Sequence, residues 1–159
     1  MPELRSLLSS EGFDDVRTYV QSGNVVLSSG RSPVSVGASV EKLIAERFGF
    51  DVAVIVRTGD ELAEVVARNP LADVAVEPKL YQVSFLESEP DPDVIAQIAG
   101  FAADSEQLVS IGRELYAWHP AGVARSKLAA KLAGNGLGVR ATARNWKTVG
   151  TLLEMAQGS

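Results

Sequence analysis

The sequence predicts an α+β fold made of two tandem ferredoxin-like (split-βαβ) halves with antiparallel sheets. Two observations lead to this fold class. The second half of the chain carries its elements in the order β-α-β-β-α-β-α, and the first half carries them in the order α-β-β-α-β-α. The split-βαβ unit has the order β-α-β-β-α-β, so the halves match if one strand is missing from the front of the first. We therefore expect one half over residues 1–70 and the other over residues 71–159.

The elements of the N-terminal half follow from apolar spacing and from the residues at their ends. Helices are marked by leucine and valine stripes, by Pro or a Ser/Thr cap at the start, and by Gly or Asn-Pro at the end. Strands are marked by β-branched runs, and Gly23 and Asn24 supply the positive φ of a tight hairpin. The predicted elements are a helix over 2–11, strands over 16–20 and 25–28, a helix from Pro33 closed by Gly49, a strand over 51–57, and a helix from Thr58 ended by Asn69-Pro70.

The C-terminal half begins with a one-sided strand, because apolar Tyr81, Val83 and Phe85 alternate with polar residues. A Gly-first pair, Gly112-Arg113, is typical of a type II′ hairpin turn. The predicted elements are a strand over 80–86, a helix beginning at Asp91-Pro92, strands over 107–111 and 114–119, a helix over 126–133, a short strand over 139–143, and a last helix capped by Asn145.

The missing strand has a physical consequence for the N-terminal half. In a split-βαβ sheet the first strand lies between the third and the fourth, so its absence leaves two strands with unpaired edges. We expect that the first strand of this half is missing through a truncated or misplaced start. The alternatives are a three-stranded first sheet and a strand borrowed from a partner.

Composition excludes several classes of protein. The chain of 159 residues has no Cys and a single His, so disulfide scaffolds, thiolate catalysis and His-cluster metal sites cannot be built. We expect neither a metal nor a cofactor. The N-terminus resembles neither a signal peptide nor a membrane anchor, and the expected location is cytoplasmic without membrane association.

The net charge of −5 conceals two regions of opposite sign. Residues 1–112 contain 8 basic and 18 acidic side chains, which is a net charge of −10, and residues 113–159 contain 7 basic and 2 acidic side chains, which is a net charge of +5. The negative total disfavours a chain that coats nucleic acid over its whole surface, whereas the basic C-terminal region fits a local anion.

Two motifs together resemble a known family. The stretches GFDDVRTYVQSGNVVLSS at residues 12–29 and ATARNWKTVGTLLEMA at residues 141–156 are similar to the bacterial proteins of domain of unknown function 1697, in the same order along essentially the whole chain. The resemblance implies a two-subdomain α+β architecture. It also implies a further strand and a glycine-containing turn before the helix over 2–11. It implies no activity.

A small anion is the ligand that the charge placement favours. Arg144 and Lys147 surround the predicted N-terminus of the last helix, where the helix dipole disfavours cations and free N–H groups bind phosphate or carboxylate. The alternative is that Arg144 pairs with a carboxylate of the acidic half. Asn145 is most simply a helix cap and Trp146 a core anchor. The candidate ligand-binding residues are Arg144, Asn145, Trp146, Lys147, Arg125, Ser126, Ser22, Gly23 and Asn24.

Other functions have weaker support in the sequence. An enzyme acting on a phosphorylated small molecule would depend on His119 or Arg144, but no catalytic set is recognisable, and Ser126 and Lys127 point about 100° apart on a helix. RNA binding would use four sheet aromatics, for which core packing is the alternative. These aromatics are Tyr81, Phe85, Tyr116 and Trp118. A homodimer through an open sheet edge is a further alternative.

Overall fold

The computed structural model describes residues 2–19 and 23–157. In chain order its elements are α1 (Pro2–Ser10), β1 (Asp14–Tyr19), β2 (Asn24–Ser28), α2 (Pro33–Phe48), α3 (Gly59–Arg68), β3 (Tyr81–Leu86), α4 (Pro92–Ala99), β4 (Gln107–Ile111), β5 (Glu114–Trp118), α5 (Lys127–Ala133), β6 (Ala141–Asn145) and α6 (Trp146–Gln157). Short 3₁₀ helices cover Pro78–Leu80 and Asn135–Leu137. The chain divides into two compact units, the first comprising Met1–Leu62 with Thr151–Ser159 and the second Ala63–Gly150. The fold is therefore a mixed α and β architecture with two antiparallel sheets.

The first unit is built on the hairpin of β1 and β2, which pair antiparallel with Thr18 opposite Val25. Helix α2 begins where Ser32 accepts a hydrogen bond from the Ser35 N–H, and it ends at Gly49 in the left-handed conformation. Apolar residues of α1 and α2, together with Phe13 between α1 and β1, form the core of this unit. The buried members are Leu4, Leu8, Phe13, Val36, Val40 and Ile44.

The hairpin turn differs from the prediction in one respect. Gly23 has a φ of 88°, as expected for the turn. Asn24 does not supply a second positive φ, because Asp15 is the one non-glycine with positive φ among the described residues. Instead the Asn24 side-chain amide donates to the Tyr19 carbonyl at 3.1 Å. Val20 and Ser22 of the predicted strand and turn lie outside the described residues.

The predicted strand over residues 51–57 is wrong. No strand of the described residues pairs with this segment, and the sheet of the first unit has two strands. The apolar pattern still determines its packing, because Val52 and Val54 lie against the core of the unit. The Val54 N–H donates to the Glu41 carboxylate at 2.9 Å. A side chain thus takes the place of a neighbouring strand at this N–H.

The second unit is built on a four-stranded antiparallel sheet in the order β4-β5-β3-β6. Helices α4 and α5 cover one face of it with a core of apolar side chains. The buried members are Leu86, Ile98, Leu115, Ala117, Leu128, Leu132 and Leu137. Gly112 has a φ of 58° between β4 and β5, so the predicted Gly-first turn is confirmed.

The last strand lies two residues later than predicted. Its pairing with β3 runs from Ala141 opposite Leu86 to Asn145 opposite Gln82, which replaces the expected range 139–143. Asn145 therefore ends β6 and also caps α6, because its side-chain oxygen accepts from the Thr148 N–H at 2.9 Å. The cap predicted at Asn145 is confirmed, and strand and helix follow each other without a loop.

The sheet aromatics of the second unit are buried side chains. The exposed fraction of Tyr81, Phe85, Tyr116 and Trp118 lies between 0% and 7%. The C-terminal part of α3 lies against Tyr116, because the Tyr116 hydroxyl donates to the Val65 carbonyl at 2.8 Å. These side chains pack in the interior and do not form an open stacking platform for bases.

Within residues 2–19 and 23–157, no helix combines the length and the apolar character needed to cross a bilayer.

Candidate functional site

The ends of β5 and β6 and the helix N-termini that follow them lie at one end of the four-stranded sheet of the second unit. Strand β5 ends there opposite the start of β3, with Trp118 paired to Tyr81. Strand β6 ends there opposite the same part of β3, with Asn145 paired to Gln82. The His119 N–H continues the ladder by donating to the Leu80 carbonyl at 3.0 Å. Helices α5 and α6 follow β5 and β6, so both helix N-termini lie at this end of the sheet.

Arg144 lies near the end of β6 with a half-buried side chain. Its guanidinium Nη1 donates to the Thr142 hydroxyl at 2.5 Å and to the Ala143 carbonyl at 2.8 Å. Both of these acceptors are uncharged and belong to the same strand. Burial lowers the pKa of Arg144 below its ordinary value. The sheet therefore holds a partly desolvated cation just before the N-terminus of a helix.

Asn145 and Trp146 have the simpler roles that the sequence assigned to them. Asn145 caps α6, and the Trp146 ring stacks on Tyr81 with centroids 4.8 Å apart. Tyr116 completes the cluster at 6.5 Å from Trp146. The Tyr81 hydroxyl donates to the Asn69 side chain at 2.7 Å, and burial raises the pKa of Tyr81. Lys147 is exposed in the first turn of α6.

A polar cluster at the start of α5 joins three segments of the chain. The His119 Nδ1 lies 2.6 Å from a Glu106 carboxylate oxygen, and the Ser126 hydroxyl donates to the same oxygen at 2.5 Å. Ser126 Oγ also accepts from the Ala129 N–H at 3.0 Å, which makes it the cap of α5. The His119 side chain is 0% exposed and the Glu106 side chain 5%. The cluster thus ties the end of β5 to the start of α5 and to the residue before β4.

The geometry of this cluster differs from that of a catalytic triad. An ionised carboxylate only accepts hydrogen bonds, so the imidazole proton lies on Nδ1 and points at Glu106. Ser126 lies on this same side of the ring, with Oγ 3.2 Å from Nδ1. His119 Nε2 is buried without a hydrogen-bond partner among the described residues. A nucleophile would need the opposite arrangement, with the serine at one ring nitrogen and the acid at the other. These contacts have a structural role, because they hold the end of β5 to the start of α5.

The Glu106 carboxylate makes stability depend on pH. Burial raises the pKa of Glu106, but hydrogen bonds from the Ala103 N–H, His119 and Ser126 outweigh it and hold the pKa below the ordinary value of 4.5. A folded-state pKa below the unfolded one stabilises the protein above about pH 4.5, and this contribution is lost as pH falls through the folded pKa. We expect chemical denaturation between about pH 3 and pH 6 to show the loss on the acid side. Glu106→Gln should flatten this dependence, and an equal slope in both proteins would contradict it.

The other predicted site residues belong to several elements of the two units. Arg125 is exposed, whereas Ser126 is occupied in the polar cluster. Gly23 and Asn24 belong to the hairpin of the first unit, and Asn24 is buried. Ser22 lies outside the described residues. Within residues 2–19 and 23–157, no group of three or more His, Asp or Glu side chains could hold a metal ion.

The sequence did not predict the Glu106 cluster. His119 stood out as the only histidine, but Glu106 lies 13 residues before it and Ser126 lies 7 residues after it. Neither spacing is a motif. The one available signal was the position of a histidine directly after a strand and before Pro120.

The fold defines an α+β protein with two antiparallel sheets. The family model described as "Protein of unknown function (DUF1697)" matches residues 1–116, and the chain belongs to this family. The family that the sequence indicated is therefore confirmed; the matched range contains the motif at residues 12–29, and the motif at residues 141–156 lies beyond it.

A solved structure supports the fold. A conserved bacterial protein, SP0830 from Streptococcus pneumoniae, matches with a TM-score of 0.76 and 21% sequence identity, over 98% of this chain and 88% of that chain. At this identity the likeness shows the fold alone. No curated protein matches the chain.

Proposed function

We propose that the second unit binds a small anionic ligand, phosphorylated or nucleotide-like, at the junction of β6 and α6. The observation that carries this proposal is the Arg144 guanidinium, half-buried beside a helix N-terminus and hydrogen-bonded to the uncharged Thr142 and Ala143 oxygens. A partly buried guanidinium beside a helix N-terminus offers charged donors of the kind that bind phosphate and carboxylate groups in proteins.

Helix α6 adds to the positive electrostatic potential around Arg144. Helix α6 has 12 residues and no acidic side chain in its first turn. Its N-terminus carries the positive end of the helix dipole, and Lys147 adds an exposed cation there. Asn145 already accepts a hydrogen bond from the Thr148 N–H, so we expect the two cations and the positive end of the helix dipole to hold the ligand.

We also infer that the second unit is a split-βαβ unit. Two observations support this inference. The elements β3 to β6 with α4 and α5 follow the order β-α-β-β-α-β, and β3 lies between β5 and β6. The inference does not extend to the first unit, where two strands are paired.

The experiment uses inorganic phosphate and adenosine monophosphate as probes. We expect each probe to raise the Tm of the protein and to change the fluorescence of Trp146, measured with Trp118→Phe as the background because the chain has two tryptophans. Arg144→Ala should weaken binding by about tenfold or more, since hydrogen bonds to charged groups contribute about 1.5–3 kcal/mol.

The matched control is Arg140→Ala, which removes the same charge just before β6. Arg140 pairs with Glu87 at 3.1 Å and its side chain is 46% exposed. We expect this variant to bind as the parent does. The proposal fails if neither probe binds, or if Arg144→Ala and Arg140→Ala weaken binding equally, because binding would then follow net charge and not the site.

A further inference from the structure

We propose that the Thr142 hydroxyl is a second ligand-binding group beside Arg144 and donates a hydrogen bond directly to an oxygen of the bound anion. This inference rests on the proposed function and adds a binding residue to the same site. Thr142 lies two residues before Arg144 in β6, and both residues are half-buried. A phosphate or phosphate monoester fits a cation with a neighbouring hydroxyl donor, because it presents several strong acceptor oxygens.

Thr142 and Arg144 lie on the face of the sheet that turns away from α4 and α5. Residues directly opposite each other in a sheet share a face, and successive residues of a strand alternate between faces. Thr142 is paired with Phe85, and Arg144 is paired with Val83. Leu86, the neighbour of Phe85, belongs to the core under α4 and α5. The Thr142 and Arg144 side chains are therefore neighbours on the opposite face.

The contacts of Arg144 hold its guanidinium against the threonine. Nη1 donates to the Thr142 hydroxyl at 2.5 Å and to the Ala143 carbonyl at 2.8 Å. Nη1 carries two hydrogens, so these two bonds use both of them within β6. The positive charge is thereby fixed in direct contact with the hydroxyl group.

The same contact determines what the Thr142 hydroxyl can donate to. A guanidinium only donates hydrogen bonds, so Oγ1 accepts from Arg144 and its own hydrogen points elsewhere. Within the two described ranges, 2–19 and 23–157, this hydrogen has no acceptor. An anion attracted by Arg144 places an acceptor oxygen beside this donor, and hydrogen bonds to charged groups are roughly twice as strong as neutral ones.

Glu114 lies on the same face and would by itself repel an anion. It is paired with Phe85 across the ladder of β3 and β5. Its carboxylate forms an ion pair with the Arg68 guanidinium at 2.5 Å. This pair carries no net charge, so it does not cancel the charge that Arg144 offers to the ligand.

Thr142→Val tests the contact, because it removes the hydroxyl and keeps the β-branched shape that a strand favours. We expect its affinity for inorganic phosphate to fall about tenfold, as measured by NMR titration. Thr142→Ser keeps the hydroxyl and should bind phosphate within about twofold of the parent. Thr18→Val makes the same change at a half-buried position of β1 in the first unit and should bind as the parent does.

A double variant separates a direct contact from an effect through Arg144. If the hydroxyl itself donates to the anion, adding Thr142→Val to Arg144→Ala should weaken phosphate binding further. If the hydroxyl only orients the guanidinium, Thr142→Val should have no effect once Arg144 is absent. NMR titration suits both measurements, because it detects weak binding and also shows that each variant is folded.

Three results would overturn this inference. The first is a Thr142→Val protein that binds phosphate as the parent does while Arg144→Ala loses binding, in which case the proposed function stands without Thr142. The second is no further loss in the double variant, which would make Thr142 a positioning residue for Arg144. The third is an equal loss in Thr142→Val and Thr142→Ser, which would show that the hydroxyl is not the group that matters. Absence of binding to the parent would instead overturn the proposed function, and this inference with it.

Discussion

Replacing Glu106 with alanine should lower the free energy of unfolding by about 3 kcal/mol, because a buried carboxylate that accepts three hydrogen bonds is removed and the donors lose that acceptor. The carboxylate accepts from the Ala103 N–H at 2.9 Å as well as from His119 and Ser126. Its removal leaves the Ser126 hydroxyl, 3.2 Å from Nδ1, as the remaining side-chain contact of the fully buried His119 ring nitrogens among the described residues. Urea denaturation at pH 7 measures the loss.

Two further variants serve as controls for the loss of stability in Glu106→Ala. Asp104→Ala removes an exposed carboxylate two residues away and should change stability by less than about 0.5 kcal/mol. Glu106→Gln keeps one acceptor oxygen and should lose less than Glu106→Ala. If the free energy of unfolding of Glu106→Ala falls by less than about 1 kcal/mol, the cluster does not stabilise the contact of β5 with α5.

The second large effect is expected for Trp146→Ala, which should cost about 3 kcal/mol of stability. The indole stacks on Tyr81 and lies against Tyr116. Removing the indole exposes the apolar face of the sheet beside the junction of β6 and α6. The variant loses both the buried area of the ring and its stacking contact with Tyr81. Thermal and urea unfolding both measure the change.

Trp146→Phe is the control for this prediction. It keeps a ring against Tyr81 and should lose less than half as much stability as Trp146→Ala. Arg144→Ala removes the neighbouring charge and leaves the stack in place, so its effect should appear in anion binding more than in stability. If Trp146→Ala unfolds at the same urea concentration as the parent, the ring is not an anchor of the sheet.

Local signals in the sequence located most helices and strands. Pro92 after Asp91, Gly112 before Arg113 and the cap at Asn145 are all where the sequence placed them. Each of these depends on the backbone preferences of one or two residues and on their nearest neighbours in the chain. Such preferences act before any tertiary contact forms, and for that reason they can be read without the structure.

Segment 51–57 shows where local signals are insufficient. Its apolar, β-branched residues predict a strand, and Val52 and Val54 do face the core. A strand, however, also needs a neighbour for its backbone groups, and in this unit the Glu41 carboxylate takes the N–H of Val54. The presence of a neighbouring strand is a property of the whole sheet.

The sequence by itself determined the family, the mixed α and β class, the order of most elements and the opposition of an acidic and a basic region. Only the tertiary structure decided which polar side chains meet, because strand register and helix placement bring together residues distant in the chain. Glu106, His119 and Ser126 share one hydrogen-bond cluster through the pairing of β4 with β5 and the return of α5. Arg144 lies half-buried because β6 pairs with β3 at the register that sets it opposite Val83.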